Sequence, residues 1–155
     1  MNPIEKQVNK PRVHRILAHS YMVYLFALVL GLICSAMWPI KIFEDNILLG
    51  VSFVVLVFSS VLVLWAQNST KNFYTENLTK QSFTNGPYRL TRNPTNLGIF
   101  FSSVSFGIII SSPFVLIFTL VAFLLSRLIF LKQEERILEK KYGKPYLDYK
   151  EMVKF

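Results

Sequence analysis

Apolar positions along this chain gather into long runs separated by short polar stretches. Three windows, 16–40, 46–70 and 93–126, contain no Asp, Glu, Lys or Arg. A helix rising about 1.5 Å per residue needs about 20 residues to cross the hydrocarbon layer of a bilayer. The first two windows each fit one crossing, at about 16–40 and 46–66. The third is too long for one crossing and carries Ser111-Ser112-Pro113 in its middle. Pro113 lacks an N–H and its ring clashes with the preceding turn, so it divides the window. The expected result is a helical hairpin, 95–111 followed by 114–131, whose short arms suit little tilt or a locally thin bilayer. Backbone polar groups in lipid must be satisfied within their own segment, which leaves helices as the spanning element. The pattern therefore predicts one all-α integral membrane domain over 1–155, with about four transmembrane helices.

After residue 131 the pattern changes. Ile137, Leu138, Tyr142, Tyr146, Leu147, Tyr149 and Val153 alternate with charges through the tail 132–155, which predicts an amphipathic helix at the membrane interface. Lys141-Tyr142-Gly143 reads as a helix end with glycine as its stop, and Pro145 suits the first turn of another short helix.

Composition agrees with a membrane setting: 52% of the 155 residues are hydrophobic and 17% charged, with 14 Phe and 7 Tyr. A net charge of +8 invites a nucleic-acid reading. That reading is rejected, because the basic residues flank apolar spans and form no patch on a soluble face. Cys34 is the sole cysteine, lies inside an apolar run and reads as a small buried or lipid-facing residue. Ile33 before it argues against a lipoprotein processing site. The first apolar stretch is too long for a signal-peptide core and reads as a retained helix. Trp38 and Trp65 sit at span ends as interface anchors.

Charge then predicts orientation. Lys6, Lys10, Arg12 and Arg15 precede span one; Lys71, Lys80, Arg89 and Arg92 lie between spans two and three; Arg127, Lys132 and Arg136 end span four. Only Lys41, beside Glu44 and Asp45, falls on the other side. Basic residues in short loops stay cytoplasmic, so both termini and the loop 67–94 are expected there. The hairpin then brings Gly86–Gly98 and Glu134-Glu135 to one membrane face.

That meeting is where chemistry is expected. Arg89 and Arg92 offer guanidinium forks for a carboxylate or phosphate, against the plainer reading as topology signals. Gly86-Pro87 and Asn93-Pro94 enforce turns on either side of them. Glu134 or Glu135 offers a carboxylate to a ligand hydroxyl or amine, against the reading as a solvated helix end. The spacing of Glu135 to Glu139 and of Arg136 to Lys140 pairs like charges, which is mildly unfavourable for a decorative surface. Asn93 and Asn96 suit helix capping. His14 and His19 have no partners at metal-ligand spacing, and neither a Gly-rich phosphate loop nor a Ser-His-Asp set can be assembled.

The stretch Gly86-Pro87-Tyr88-Arg89-x-x-Arg92-Asn93-Pro94-x-x-x-Gly98, followed by Glu134-Glu135-x-x-Leu138-x-x-x-Tyr142-Gly143-x-x-Tyr146-x-x-Tyr149-x-x-x-Val153, resembles the isoprenylcysteine carboxyl methyltransferase family and its phospholipid methyltransferase relatives. Trp65-Ala66 and Lys71-Asn72-Phe73 add to the likeness, which covers roughly 65–155. The resemblance implies an integral-membrane enzyme that uses S-adenosylmethionine at its cytoplasmic face. Its substrate would be a lipophilic small molecule or a lipid-anchored acceptor entering from the membrane lipids. It implies a cofactor wall of Lys80, Gln81, Ser82, Phe83, Tyr88, Asn93, Pro94, Thr95, Asn96 and Glu134. Arg92, Arg89 and Arg127 are the candidates for substrate-side catalysis. The family pattern usually has His, with Asn tolerated, at Asn93, and Tyr at Asn96. Its arginine a few residues before the glutamates is matched only by Arg127, one turn further back. The acceptor stays open among a prenylated cysteine, a phospholipid amine and a small hydrophobic acid. Two other readings remain beside this one: a sterol-reductase-like NADPH enzyme, and a degenerate relative that binds without catalysis.

Overall fold

The computed structural model describes residues 21–69, 84 and 86–153. Among them every regular element is helical. Helix α1 (Tyr21–Met37) is followed by α2 (Asn46–Ser69), a short 3-10 turn at Gly86–Arg89, and α3 (Pro94–Ile109). Helix α4 (Pro113–Leu125) runs through a π turn (Ser126–Phe130) into α5 (Leu131–Tyr142), and α6 (Lys144–Met152) closes the described chain.

Two elements are long and apolar enough to cross a membrane, Asn46–Ser69 and the continuous helix Pro113–Tyr142. Neither is a hidden core helix. Ile47, Phe53 and Phe58 of α2 are 76%, 62% and 71% exposed, and Ile117, Leu120 and Leu124 of α4 face outward as well. An apolar surface of this extent is stable against lipid and not against water. Helices α1 and α3 are apolar but shorter.

The breaks fall where the chain carries breaking residues. Asn93 caps α3, its side chain accepting the Asn96 N–H at 3.1 Å, and Pro94 occupies the first turn. Ser112 caps α4 by accepting the Val115 N–H at 3.3 Å, with Pro113 next in line. Between them Ser111 adopts a left-handed φ of 54°. Its hydroxyl accepts N–H bonds from Ile42 and Phe43 at 3.0 and 2.7 Å and donates to the Phe43 carbonyl at 2.8 Å. This one side chain ties the α1–α2 connection to the α3–α4 turn. Trp38 and Phe114 stack loosely beside it, ring centroids 6.3 Å apart.

Small residues let the helices approach. A Cβ on Gly98 would sit 2.5 Å from Val63 Cγ2 and 3.1 Å from the Ser59 carbonyl. Helices α2 and α3 are in backbone contact there, and the Ser102 hydroxyl donates to Ser59 Oγ at 2.9 Å alongside. Close backbone approach with an interhelical hydroxyl bond is how helices associate where apolar burial gives no net drive. Tyr24 and Ala27 of α1 pack on Ala122 of α4, with Phe100, Phe118 and Phe123 filling the space around them.

The helix break expected at Gly143 and the short helix expected after it are both present. Helix α5 ends at Tyr142, Gly143 takes φ 63°, and Pro145 lies in the first turn of α6. Tyr146, Tyr149 and Val153 form a small second core with Tyr88, Leu138 and Tyr142.

Candidate functional site

The polar residues gather where Gly86–Arg89, the start of α3, the π turn and α5 converge. Gly86 holds φ 64° and lies so close to Ser69 and Trp65 that no Cβ fits, which seats the loop against the end of α2. The apolar part of the long helix ends at Leu131, where the charged run Lys132-Gln133-Glu134-Glu135 begins.

Two adjacent environments result. In the first, the Asn93 side-chain amide donates to Glu134 Oε2 at 3.3 Å. Thr95, buried beside it, engages both the Tyr21 and Tyr88 hydroxyls. Burial, reinforced by the neighbouring Glu135 charge, pushes the Glu134 carboxyl up to about 7. Burial likewise lifts the Tyr88, Tyr146 and Tyr149 phenols above their usual range, so they stay protonated donors at neutral pH. The Tyr149 hydroxyl donates to the Tyr88 carbonyl at 2.7 Å, which ties α6 to the 3-10 turn.

The second environment is a cavity of about 730 Å³. Leu62, Leu97, Phe123 and Leu131 give it apolar walls. Its polar lining includes Arg92, Asn93, Asn96, Arg127, Lys132 and Glu135. Arg92 is committed to Glu135 at 2.8 Å, and Lys150 bridges Glu135 and Glu139 at 2.9 and 2.7 Å. Hydrogen bonds to those two carboxylates raise the Lys150 pKa, keeping it charged. Among the described residues no carboxylate pairs with Arg127 or Lys132. Asn93 belongs to both environments, lining the cavity while touching Glu134.

Of the residues singled out from sequence, the structure gathers Tyr88, Asn93, Thr95 and Glu134 in the first environment. It places Arg92, Asn93, Asn96 and Arg127 around the cavity. Pro94 is fully buried under the start of α3, and Arg89 is exposed at the end of the 3-10 turn. Lys80, Gln81, Ser82 and Phe83 lie outside the described residues, as do His14 and His19. Asn96 does not leave an open slot: its side-chain carbonyl accepts the Ser126 hydroxyl at 2.9 Å, both residues being buried. Sequence reasoning missed Ser126, Glu135 as the partner of Arg92, and Lys150. The disfavoured spacing of Glu135 and Glu139 was the one signal that a cation from elsewhere had to join them.

Apolar helices that expose their faces, and that close one end over a half-buried carboxylate beside a large cavity, define a membrane protein with a candidate ligand site. A family model for phospholipid methyltransferases matches residues 45–145, from the start of α2 to the first turn of α6, and the chain belongs to that family. No curated protein and no solved structure matches it.

Proposed function

We propose that this protein transfers a methyl group from S-adenosylmethionine to a lipophilic acceptor at the cytoplasmic membrane face, with four crossings and both termini cytoplasmic. The observation that carries this reading is the Asn93–Glu134 hydrogen bond, which joins the arginine-bearing loop to the acidic helix 41 positions later.

The residues fit the methyl donor. Burial and the Glu135 charge lift this half-buried carboxylate to about 7, and an ammonium group beside it would restore its charge. Glu134 would hold the donor's amino group, while Asn93, Thr95 and Tyr88 offer hydrogen bonds to its polar atoms. When bound, the donor supplies an electrophilic methyl on a sulfonium. The protein's own work is alignment and the exclusion of water. The cavity takes the apolar part of the acceptor along Leu62, Leu97 and Phe123, and Arg127 and Lys132 hold an anionic headgroup at its mouth. The asparagine shared by the two environments is the wall across which donor and acceptor meet. A carboxylate acceptor needs no base. An amine acceptor must shed a proton before it attacks the methyl.

The test is thermal stability of the purified protein titrated with S-adenosylhomocysteine and, separately, with NADPH. Stabilisation of about 2.7 kcal/mol is expected at one hundred times the dissociation constant of the nucleoside. A response to NADPH alone, or to neither compound, overturns the reading.

A further inference from the structure

The helix that begins at Pro113 does not keep an α period to its end. Across Ser126–Phe130 it opens into a π turn, and the Leu131 N–H bonds the Ser126 carbonyl five residues back. A π turn absorbs one extra residue, so everything after it is rotated by about 100° relative to an unbroken α-helix. The rotation decides which carboxylate shares a face with Arg127. In an unbroken helix a residue seven positions on, Glu134, returns to within about 20° of Arg127. With one residue absorbed, the residue eight positions on takes that place, and Glu134 is turned about 120° away.

The contacts follow the second arrangement. Arg127, Lys132 and Glu135 line the cavity together, and Glu134 bonds Asn93. At the first residue of the turn, the fully buried Ser126 donates its hydroxyl to Asn96 of α3 at 2.9 Å. This is a polar anchor between the register-setting residue and the helix whose cap holds Glu134.

We propose that Ser126, through its bond to Asn96, is a positioning residue for methyl transfer: it pins the π turn that sends Glu134 to the donor environment and Glu135, with Arg127, to the acceptor cavity. The inference rests on the methyltransferase reading above. It gives the adjacent glutamates different duties, one binding the donor and one fixing Arg92 at the cavity.

The experiment measures the S-adenosylhomocysteine dissociation constant by calorimetry on the full-length protein, well below the unfolding temperature, across pH 5.5 to 8.5. Ser126→Ala is expected to weaken binding about tenfold or more in protein that is still folded. It is also expected to move the pH midpoint of binding down towards the ordinary carboxylate range, as Glu134 leaves its buried seat. Ser126→Thr, which keeps the hydroxyl, is expected to restore both. Deletion of Ile129 supplies a second route if Ser126→Ala does not fold. Removing the absorbed residue leaves a regular helix with the same faces, and affinity within about threefold of wild type is expected. Ser126→Ala with lowered stability but wild-type affinity and pH midpoint overturns the proposal, as does a folded Ile129 deletion that no longer binds. Absence of binding by the wild-type protein overturns the methyltransferase reading itself, and this inference with it.

Discussion

Arg92 and Glu135 form an ion pair at 2.8 Å, with about a fifth of each side chain exposed. The pair joins the loop before α3 to the helix after the π turn, and Lys150 completes it from α6. Removing one partner leaves the other charge poorly solvated. Glu135→Gln or Arg92→Ala is therefore expected to lower stability by about 1–3 kcal/mol. Arg92→Lys should cost less in charge but lose the guanidinium fork. Chemical unfolding in a fixed detergent reads the difference. Variants as stable as wild type would mean that the pair contributes only geometry.

Glu134 gives a pH prediction with a definite sign. Its carboxyl is raised from 4.5 to about 7 by burial and by the Glu135 charge, so the folded protein holds its proton more tightly than the unfolded chain. The associated stability is fully present below about 4.5, falls as pH rises towards 7, and is flat above. Glu134→Gln should remove that slope while abolishing the response to S-adenosylhomocysteine. In wild type a cationic ligand competes with the proton, so nucleoside affinity should drop by up to about tenfold per unit below pH 7. Calorimetric titrations at four pH values check it. An affinity that rises on acidification would remove Glu134 from the site.

Gly98 carries the α2–α3 contact. Gly98→Ala puts a methyl into Val63 and should destabilise by about 1–3 kcal/mol. Val63→Ala in the same chain should recover much of the loss, since the clash is largely with the Val63 side chain. A double-mutant cycle on unfolding temperature measures the coupling. Additive effects would place the strain elsewhere.

The tail is held by polar contacts as well as by its tyrosines. Tyr149→Phe removes the bond to the Tyr88 carbonyl and should cost about 0.5–1.5 kcal/mol. Lys150→Ala leaves Glu135 and Glu139 facing one another and should loosen α6 more at low salt than at high salt. Limited proteolysis around Gly143 at two ionic strengths distinguishes the cases. Equal cleavage in wild type and both variants would show that the Tyr146–Val153 core alone holds the tail.

The helices were legible because their causes are local. Apolar runs without charge, Pro94 and Pro113 at helix starts, Ser112 and Asn93 as caps, and Gly143 before Pro145 each act within a few residues of themselves. The convergence of the loop with Glu134 was legible too, since a break at Pro113 between two apolar arms suggested a return path. The partners were less so. Sequence periodicity assumes 3.6 residues per turn, and by that count Glu134 belongs with Arg127.

The sequence alone therefore determined which segments are helices, that they suit lipid, and which side chains crowd one end. Only the tertiary structure decided how neighbouring groups divide: Glu134 to Asn93, Glu135 to Arg92 and Lys150, Asn96 to Ser126. The reason is physical. Helix and break follow from local backbone preference, whereas the direction a carboxylate faces depends on one absorbed residue in a π turn. That turn carries a hydrogen bond to a helix 30 positions away in the chain.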